Sequence, residues 1–332
     1  MNILITGAAG YIGSHISLNL VENNQKFFLI DNLENSSIET IKVLKKISKK
    51  KIHFFKIDVR NEKKLTSCLK NNKITHIIHL AGLKSVEESE KLPIKYYKNN
   101  INGIISILRS MEKAKTKNII FSSSATVYGD GGNKKIKEDV KLSYKNSYGL
   151  TKLVSENLII NHSLKKGIKS IILRYFNPVG SHKSYLIGDD PLEPRNLMPI
   201  LNKAAFTKNK KISIYGKNYK TKDGTALRDF IHINDLASSH TKCLKIMNKI
   251  KNFEIFNVGT GKPYSVLEII KSYEKVNNLK FKIEYKKNRQ GDAAILYADN
   301  KKILRKTSWR PVENINSMCK SAYEFKKKKL LS

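Results

Sequence analysis

Residues 2–21 read "NILITGAAGYIGSHISLNLV", and this stretch narrows the possible folds more than any other. A short apolar run, "NILIT", meets three spaced glycines, Gly7, Gly10 and Gly13. It then passes into a segment whose apolar residues Ile12, Ile16, Leu20 and Val21 recur at helical spacing. Strand, glycine turn and helix in that order suit a pyrophosphate. Glycine permits the tight turn and a close backbone approach, and the helix N-terminus offers N–H groups and the positive end of its dipole. Asp31 ends the next apolar run, "KFFLID", eighteen residues after Gly13. A carboxylate there accepts ribose hydroxyls and repels a 2′-phosphate, which points to NAD rather than NADP. The alternative is a plain turn aspartate in "DN". Asp58 and Val59 follow a third apolar run, with Asp58 a candidate for the adenine. Leu80, Ala81 and Gly82 end a fourth, where small residues let a cofactor come close.

The alternation continues. "SSIETIKVLKKI" and "NEKKLTSCLKN" read as helices, "IHFFKID", "ITHIIHLAG" and "KNIIFSSS" as strands, and a long helical stretch is expected from about Ser89 to Lys113. "NSYGLTKLVSENLIINHSLKK" reads as a helix and "KSIILRYFN" as a strand. The strands are apolar almost throughout, as in a sheet covered on both faces. The expected fold is α/β: a Rossmann-type doubly wound parallel sheet with a smaller C-terminal α/β substrate domain. From about Asn177 the pattern loosens, and "NPVGSHKSYLIGDDPLEPRNLMP" reads as a long ordered loop of the kind that carries function. We expect an NAD-binding domain over 1–176, with elements around 228–260 returning to it, and a mainly substrate-binding domain over 177–332.

Composition bears on partners. The formal charge is +35, which raises polyanion binding as a reading. The lysines run along the whole chain, however, and the dense runs "KVLKKISKKK" and "KKKK" read as solvated helix faces or ends. No specific nucleic-acid role is expected, and an anionic small substrate would suit such a protein. No apolar run approaches the ~20 residues of a membrane span. The N-terminus enters a strand pattern without the features of a secretory signal. Cys68, Cys243 and Cys319 lack metal-type spacing, so we expect no metal and a cytoplasmic location.

The stretch "IIFSSSATVYGD" ends an apolar strand in Ser122, Ser123 and Ser124, and "SYGLTK" follows. In it Tyr148 and Lys152 stand at i and i+4, hence on one helix face. A phenol titrates near ~10, and a neighbouring ammonium together with the positive nicotinamide of an oxidised cofactor would favour its ionised form and lower that value. Tyr148 is therefore the candidate base and Lys152 its tuner, while Tyr128 has no basic partner at helical spacing.

These stretches, with "LIDNLENS", "HLAGLKSVEES", "LRYFNPVG", "DGTALRDFIHINDLA" and "RQGD", resemble the extended short-chain dehydrogenases/reductases, and within them the UDP-hexose 4-epimerases. The resemblance spans nearly the full chain. It implies tightly held NAD, a UDP-hexose substrate, interconversion of UDP-galactose and UDP-glucose, and a homodimer built on paired helices. It also implies roles. Tyr148 takes the sugar 4-hydroxyl proton while hydride passes from carbon 4 to NAD, the keto sugar turns over, and hydride returns to its other face. Ser124 bonds the 4-oxygen and relays its proton, and Lys152 also holds the cofactor. Tyr11, Ile12, Asn32, Asn35, Ser36, Lys84, Asn99, Ser122 and Tyr175 match cofactor-contacting positions. Phe176, Asn177, Asn196, Leu197, Tyr215, Arg228, Arg289 and Asp292 match positions around the UDP-sugar. Two arginines suit a diphosphate, and Asp292 can accept uridine ribose hydroxyls.

The chain departs from the family pattern in places. Ala8 replaces a glycine, Arg195 precedes Asn196 in a slightly shorter loop, and Phe230 replaces a frequent tyrosine. Leu296 stands where a tyrosine narrows the sugar pocket and a smaller residue admits N-acetylhexosamine, so turnover of UDP-GlcNAc/UDP-GalNAc is a further expectation. Two alternatives remain: a nucleotide-sugar 4,6-dehydratase, and a non-catalytic NAD-binding protein. The first needs an acid and a base just after the serines, where this chain has Ala125 and Thr126. The second predicts a broken Tyr/Lys pair, which is intact.

Overall fold

The computed structural model describes residues 1–129, 134–288 and 293–331. In the first half, strand β1 (Asn2–Thr6) leads to helix α1 (Tyr11–Glu22), β2 (Lys26–Asp31) to α2 (Ile38–Ser48), and β3 (His53–Lys56) to α3 (Glu62–Asn71). Then come β4 (His76–His79), α4 (Val86–Lys91), α5 (Pro93–Tyr96), a π-helical turn (Tyr97–Ile101), α6 (Asn102–Ala114), β5 (Asn118–Ser124), α7 (Ser147–Lys166) and β6 (Lys169–Tyr175). The second half contains β7 (Asn177–Val179), α8 (Leu197–Ala205), β8 (Lys211–Tyr215), β9 (Leu227–His232), α9 (Ile233–Ile246), β10 (Phe253–Val258) and β11 (Pro263–Ser265). It closes with α10 (Val266–Asn277), β12 (Lys282–Lys286), β13 (Ile295–Leu296), α11 (Lys301–Lys306) and α12 (Ile315–Leu331).

Seven parallel strands in the order β10-β6-β5-β4-β1-β2-β3 form the main sheet. Apolar clusters cover both faces. One joins Ile5, Ile120 and Leu173 to Ile16 of α1 and Leu236 of α9. The other joins Leu4, Ile119 and Phe121 to Ile104 of α6 and Ile159 of α7. This double burial is why the strands read as unbroken apolar runs. β10 pairs with β6, so a strand from the second half completes the sheet. A second sheet joins β11, β9 and β13, with β7 paired to β9, and β12 pairs with β8. α8, α10 and α12 cover these strands through Leu201, Ile269 and Met318.

Side chains set several helix ends. Asn146 accepts from Gly149 N (2.8 Å) at the start of α7, and Ser265 with Glu268 forms a capping box on α10. Two expectations change. The long helix expected over 89–113 is broken into α4, α5, the π turn and α6. Pro93 cannot continue a helix through its ring and missing N–H, and Leu92 before it leaves the helical region at φ −132°, ψ 56°. The loop after β6 is ordered, as expected, but begins with β7, which docks on β9.

Candidate active site

Gly7, Asp31, Leu80 to Gly82 and Ser122 to Ser124 lie at or just past the carboxyl ends of β1, β2, β4 and β5, where open α/β sheets bind ligands. Gly7 turns with φ +68°, and a Cβ on it would lie 2.8 Å from Ala81 N. A Cβ on Gly13 would lie 2.3 Å from Gly7 O. The turn is thus closed against both α1 and the end of β4. No side chain caps α1 and its first turn holds no acidic residue, which leaves its N–H groups for an anion. The donor set and the shape of the turn fit a dinucleotide pyrophosphate.

Asp31 is buried at the end of β2 and holds this turn. Its Oδ2 accepts from Ala9 N (2.9 Å), and its Oδ1 accepts from Leu33 N (2.9 Å) and Ser36 Oγ (2.9 Å). A carboxylate has about four acceptor sites, so capacity remains for a ribose hydroxyl. The Ser36 hydroxyl itself is directed to Asp31. Asn35 lies in the same loop, and Asn32 donates to Asp58 Oδ2 (3.0 Å). Asp58 also pairs with Arg60 (2.5 Å), which holds its carboxyl down at about 2. Val59 beside it lies against Gly103 at the start of α6. Leu80 and Ala81 N–H groups both donate to Thr6 Oγ1 at 3.2 Å. Gly82 lies against Asn100, and Asn100 Oδ1 accepts from Asn99 Nδ2 (3.1 Å). Tyr11, next to Ile12, donates its hydroxyl to Gly180 O (2.8 Å), and Lys84 pairs with Asp189 at 3.7 Å. Both contacts bind the loop after β7 to the cofactor side.

At the tip of β5 the three serines part. Ser122 and Tyr175 face α9: Ser122 Oγ donates to Tyr175 Oη (2.7 Å), which meets His240 Nε2 (2.5 Å). Burial holds His240 down at about 4, so it is neutral. Its Nδ1 is 3.0 Å from Leu236 O and must donate there, which leaves Nε2 to accept from Tyr175. Ser123 faces α7, where its hydroxyl donates to the Glu156 carboxylate. Ser124 accepts from Thr126 N (3.2 Å) and lies within hydrogen-bonding reach of the Tyr148 hydroxyl. Lys152 donates to the Ser122 carbonyl (2.8 Å), its Nζ 5.8 Å from the Tyr148 ring centre and 4.9 Å from that of Phe121.

The expected lowering of the Tyr148 phenol is not what this geometry produces. Burial pushes it up to about 12, and only the Ser124 hydrogen bond pulls the other way. Lys152 is pushed down to about 8 by burial, with Glu156 opposing. Desolvation penalises both charged forms and outweighs the Ser124 hydrogen bond at Tyr148 and the Glu156 charge at Lys152.

Around the substrate side, Phe176 and Leu296 share an apolar cluster with Ala125 and Val127. Leu296 of β13 stands opposite Arg228 of β9, and Asn177 opposite Phe230. Asn196 and Leu197 begin α8. Arg195 before them reaches Ser85 Oγ (3.3 Å), Glu87 (2.9 Å) and Glu193 (2.8 Å). Tyr215 ends β8, half-exposed and farther along the second half. Arg289 and Asp292 lie outside the described residues. Among the described residues no cluster of metal-ligating side chains occurs, and no helix is long and apolar enough to cross a membrane.

Sequence reasoning missed Glu156, Arg174 and His240. Glu156 repeats the four-residue spacing of Tyr148 and Lys152, which was a readable signal. Arg174 is buried and paired to Glu156 (2.7 Å), and donates to the Tyr128 hydroxyl (2.9 Å). Tyr128 donates in turn to Asn257 Oδ1 (2.6 Å). Tyr128 is therefore structural, as its lack of a basic partner at helical spacing suggested. Another residue passed over is Thr126, whose Oγ1 is buried without a hydrogen-bond partner beside Ser124.

A family model described as GDP-mannose 4,6 dehydratase matches residues 4–322. A UDP-glucose 4-epimerase of Dictyostelium discoideum is 43% identical over 326 residues, covering 97% of this chain and 95% of that protein. Among solved structures, a UDP-glucose-4-epimerase from Stenotrophomonas maltophila with bound NAD and formylated UDP-arabinopyranose is 34% identical. It superposes with a TM-score of 0.97 over 100% of this chain and 99% of that one. A UDP-Glc/GlcNAc 4-epimerase from Campylobacter jejuni is 33% identical, with a TM-score of 0.86 over 98% of this chain and 99% of the other.

Proposed function

The chain belongs to the UDP-glucose 4-epimerases of the NAD-dependent epimerase/dehydratase family, and from that premise we propose how its own residues invert carbon 4 of a UDP-hexose. The observation that carries the assignment is the meeting of two elements. The face of α7 bearing Tyr148 and Lys152 lies against the tip of β5, where Ser124 and the Ser122 carbonyl receive them. NAD, when bound, supplies the reversible oxidation of the sugar at carbon 4. The Gly7–Gly13 turn and the start of α1 would hold its pyrophosphate, and Asp31 its ribose.

Tyr148 Oη removes the proton of the sugar 4-hydroxyl and later returns it to the 4-oxygen. Ser124 Oγ, between the phenol and the sugar, carries that proton and orients the 4-oxygen. A phenol at about 12 is a weak base at neutral pH, and within this chain the Ser124 hydrogen bond is what favours its ionised form. Thr126 Oγ1 is a free hydroxyl for a sugar oxygen, and Phe176 and Leu296 form the apolar wall. Return of the proton and reversal of the oxidation leave composition unchanged, and inversion follows where the keto sugar presents its other face before it is reduced. The test is incubation with UDP-galactose without added NAD and detection of UDP-glucose. Tyr148→Phe should lower turnover about 10²- to 10⁴-fold, the usual worth of general acid–base catalysis. A mutant with near-normal turnover sinks the assignment of the base.

Finer readings rest on other observations. Leu296 in place of a larger ring supports some turnover of N-acetylated UDP-hexoses. Between α6 and α7 an open groove is lined by Ile105, Leu108 and Leu158 with Arg109, Lys165 and Lys166 beside them, and Ile105 is 39% exposed. We assign this face to a second copy of the chain, as a homodimer. β10 beside β6, and α9 packed on α1, favour a cofactor-binding body of 1–176 plus 228–260, with the substrate body in the rest of 177–332. Cys68, Cys243 and Cys319 are free and buried, which suits the reducing cytoplasm.

A further inference from the structure

Tyr148, Lys152 and Glu156 follow one another at four-residue steps along a single face of α7, and each grips one of three consecutive serines of β5. Tyr148 meets the Ser124 hydroxyl, Lys152 the Ser122 carbonyl (2.8 Å), and Glu156 the Ser123 hydroxyl. Only the first two pairs have work in the reaction. The third is more deeply buried and more heavily braced. Glu156 is fully buried, Ser123 2% exposed and Arg174 1% exposed. Arg174 Nε and Nη2 both donate to the Glu156 carboxylate, at 3.0 and 2.7 Å. Arg174 is also the register partner of Ser123 across β5 and β6. One carboxylate thus ties α7 to two neighbouring strands, a single residue from the serine that must reach the sugar.

We propose that Ser123 and Glu156, backed by Arg174, are positioning residues for the epimerisation. They fix the tip of β5 on α7 so that Ser124 and Tyr148 close on the same sugar oxygen. The inference rests on the roles proposed above for Tyr148 and Ser124. The Ser123 hydroxyl alone of the three meets Glu156, while Ser122 turns to Tyr175 and Ser124 to Tyr148, so neither neighbour can replace it. The consequence is kinetic: a tip that slides by about 1 Å costs up to ~100-fold in rate without loss of a binding group.

The test compares NAD-loaded wild type with two variants. Ser123→Ala removes the hydroxyl and no charge. Glu156→Gln with Arg174→Met removes both charges together, so that neither is left buried alone. Both should lower kcat for UDP-galactose about 10- to 100-fold, with KM within about twofold and NAD retained. Combining all three changes should cost no more than the larger single effect, because one tie is being cut. A folded Ser123→Ala enzyme with wild-type kcat overturns the proposal, and so does a rise in KM at unchanged kcat. Ser123→Ala is the conservative arm, and it decides the matter even where the charge-removing variant fails to fold. Tyr148→Phe run in parallel separates the two failures. If it stays active, the reading of the base is wrong; if it is dead while Ser123→Ala is normal, only the positioning role falls.

Discussion

Substitution of Gly13 by alanine tests the cofactor cradle most directly. A Cβ there would sit 2.3 Å from Gly7 O, 2.8 Å from Ala8 Cα and 3.1 Å from Ala8 C. All three are backbone atoms, so no side-chain rotation gives relief, and reaching an ordinary contact of about 3.5 Å requires the turn to retreat by roughly 1 Å. Overpacking of this kind costs about 1–3 kcal/mol. Alanine in place of glycine inside α1 returns about 0.5–1 kcal/mol. The net destabilisation should be about 1–2 kcal/mol, a fall in Tm of about 1–3 °C in a chain of this size. Cofactor retention should suffer more, because the displaced turn is the one that would seat the pyrophosphate. NAD content after gel filtration, read alongside thermal melting, measures both. A Gly13→Ala protein that keeps full NAD and melts like wild type refutes the cradle.

Arg174→Met alone leaves the Glu156 carboxylate buried without its partner and should cost about 3–5 kcal/mol in urea unfolding, most of it recovered when Glu156→Gln is added. Asp58 is held at about 2 by Arg60. A depressed carboxyl contributes stability above its unfolded pKa near ~4 and loses it as pH falls through the folded value. Arg60→Ala should therefore cost under about 1 kcal/mol at pH 7, because the pair is largely solvated, and the difference should shrink as pH falls from ~4 to ~2. Glutamate at Ile105 and Leu158 places charge in the α6–α7 groove and should give a monomer by light scattering; an unchanged mass in either direction removes the assigned dimer face. Assays with UDP-GlcNAc should show turnover that falls on Leu296→Tyr, and complete rejection of that sugar by the wild type defeats the broader pocket.

The cofactor half was legible because its physics is local. A glycine turn, a helix start and an acid at the next strand end are each fixed within a few residues, and Gly7, Gly13 and Asp31 meet where their spacing implied. Tyr148 and Lys152 were legible for the same reason, one helix face read at four-residue steps. What escaped depends on which face of the sheet a residue takes and what comes to meet it. Ser123 looked like its neighbours until α7 was placed over one face and α9 over the other. Nothing in the sequence marks Arg174 until β5, β6 and α7 enclose it. The desolvation of Tyr148 escaped too, since a nearby ammonium is visible in a sequence and the packing around a phenol is not. The helix expected over 89–113 failed at Pro93, a local signal that was available and overlooked.

An epimerase and a dehydratase of this architecture open on the same oxidation, so neither the sheet nor the Tyr148–Lys152 pair separates them. They part at the next step, where a dehydratase needs an acid and a base beside the keto sugar to eliminate water. Here that place is held by Ala125 and Thr126, and the surroundings matter as much as the identities. Ala125 is 5% exposed and packs with Val127, Phe176 and Leu296. A carboxylate introduced there would lie in an apolar wall, and burial would hold it protonated rather than poised to exchange a proton. Thr126, with its unpartnered hydroxyl, can bond the sugar but cannot ionise. The wall thus does more than omit an acid and a base: it disfavours the charge that elimination would require. Under the roles proposed for Ser124 and Tyr148, the keto sugar is left with one route, the return of its proton through them and reduction back to an alcohol.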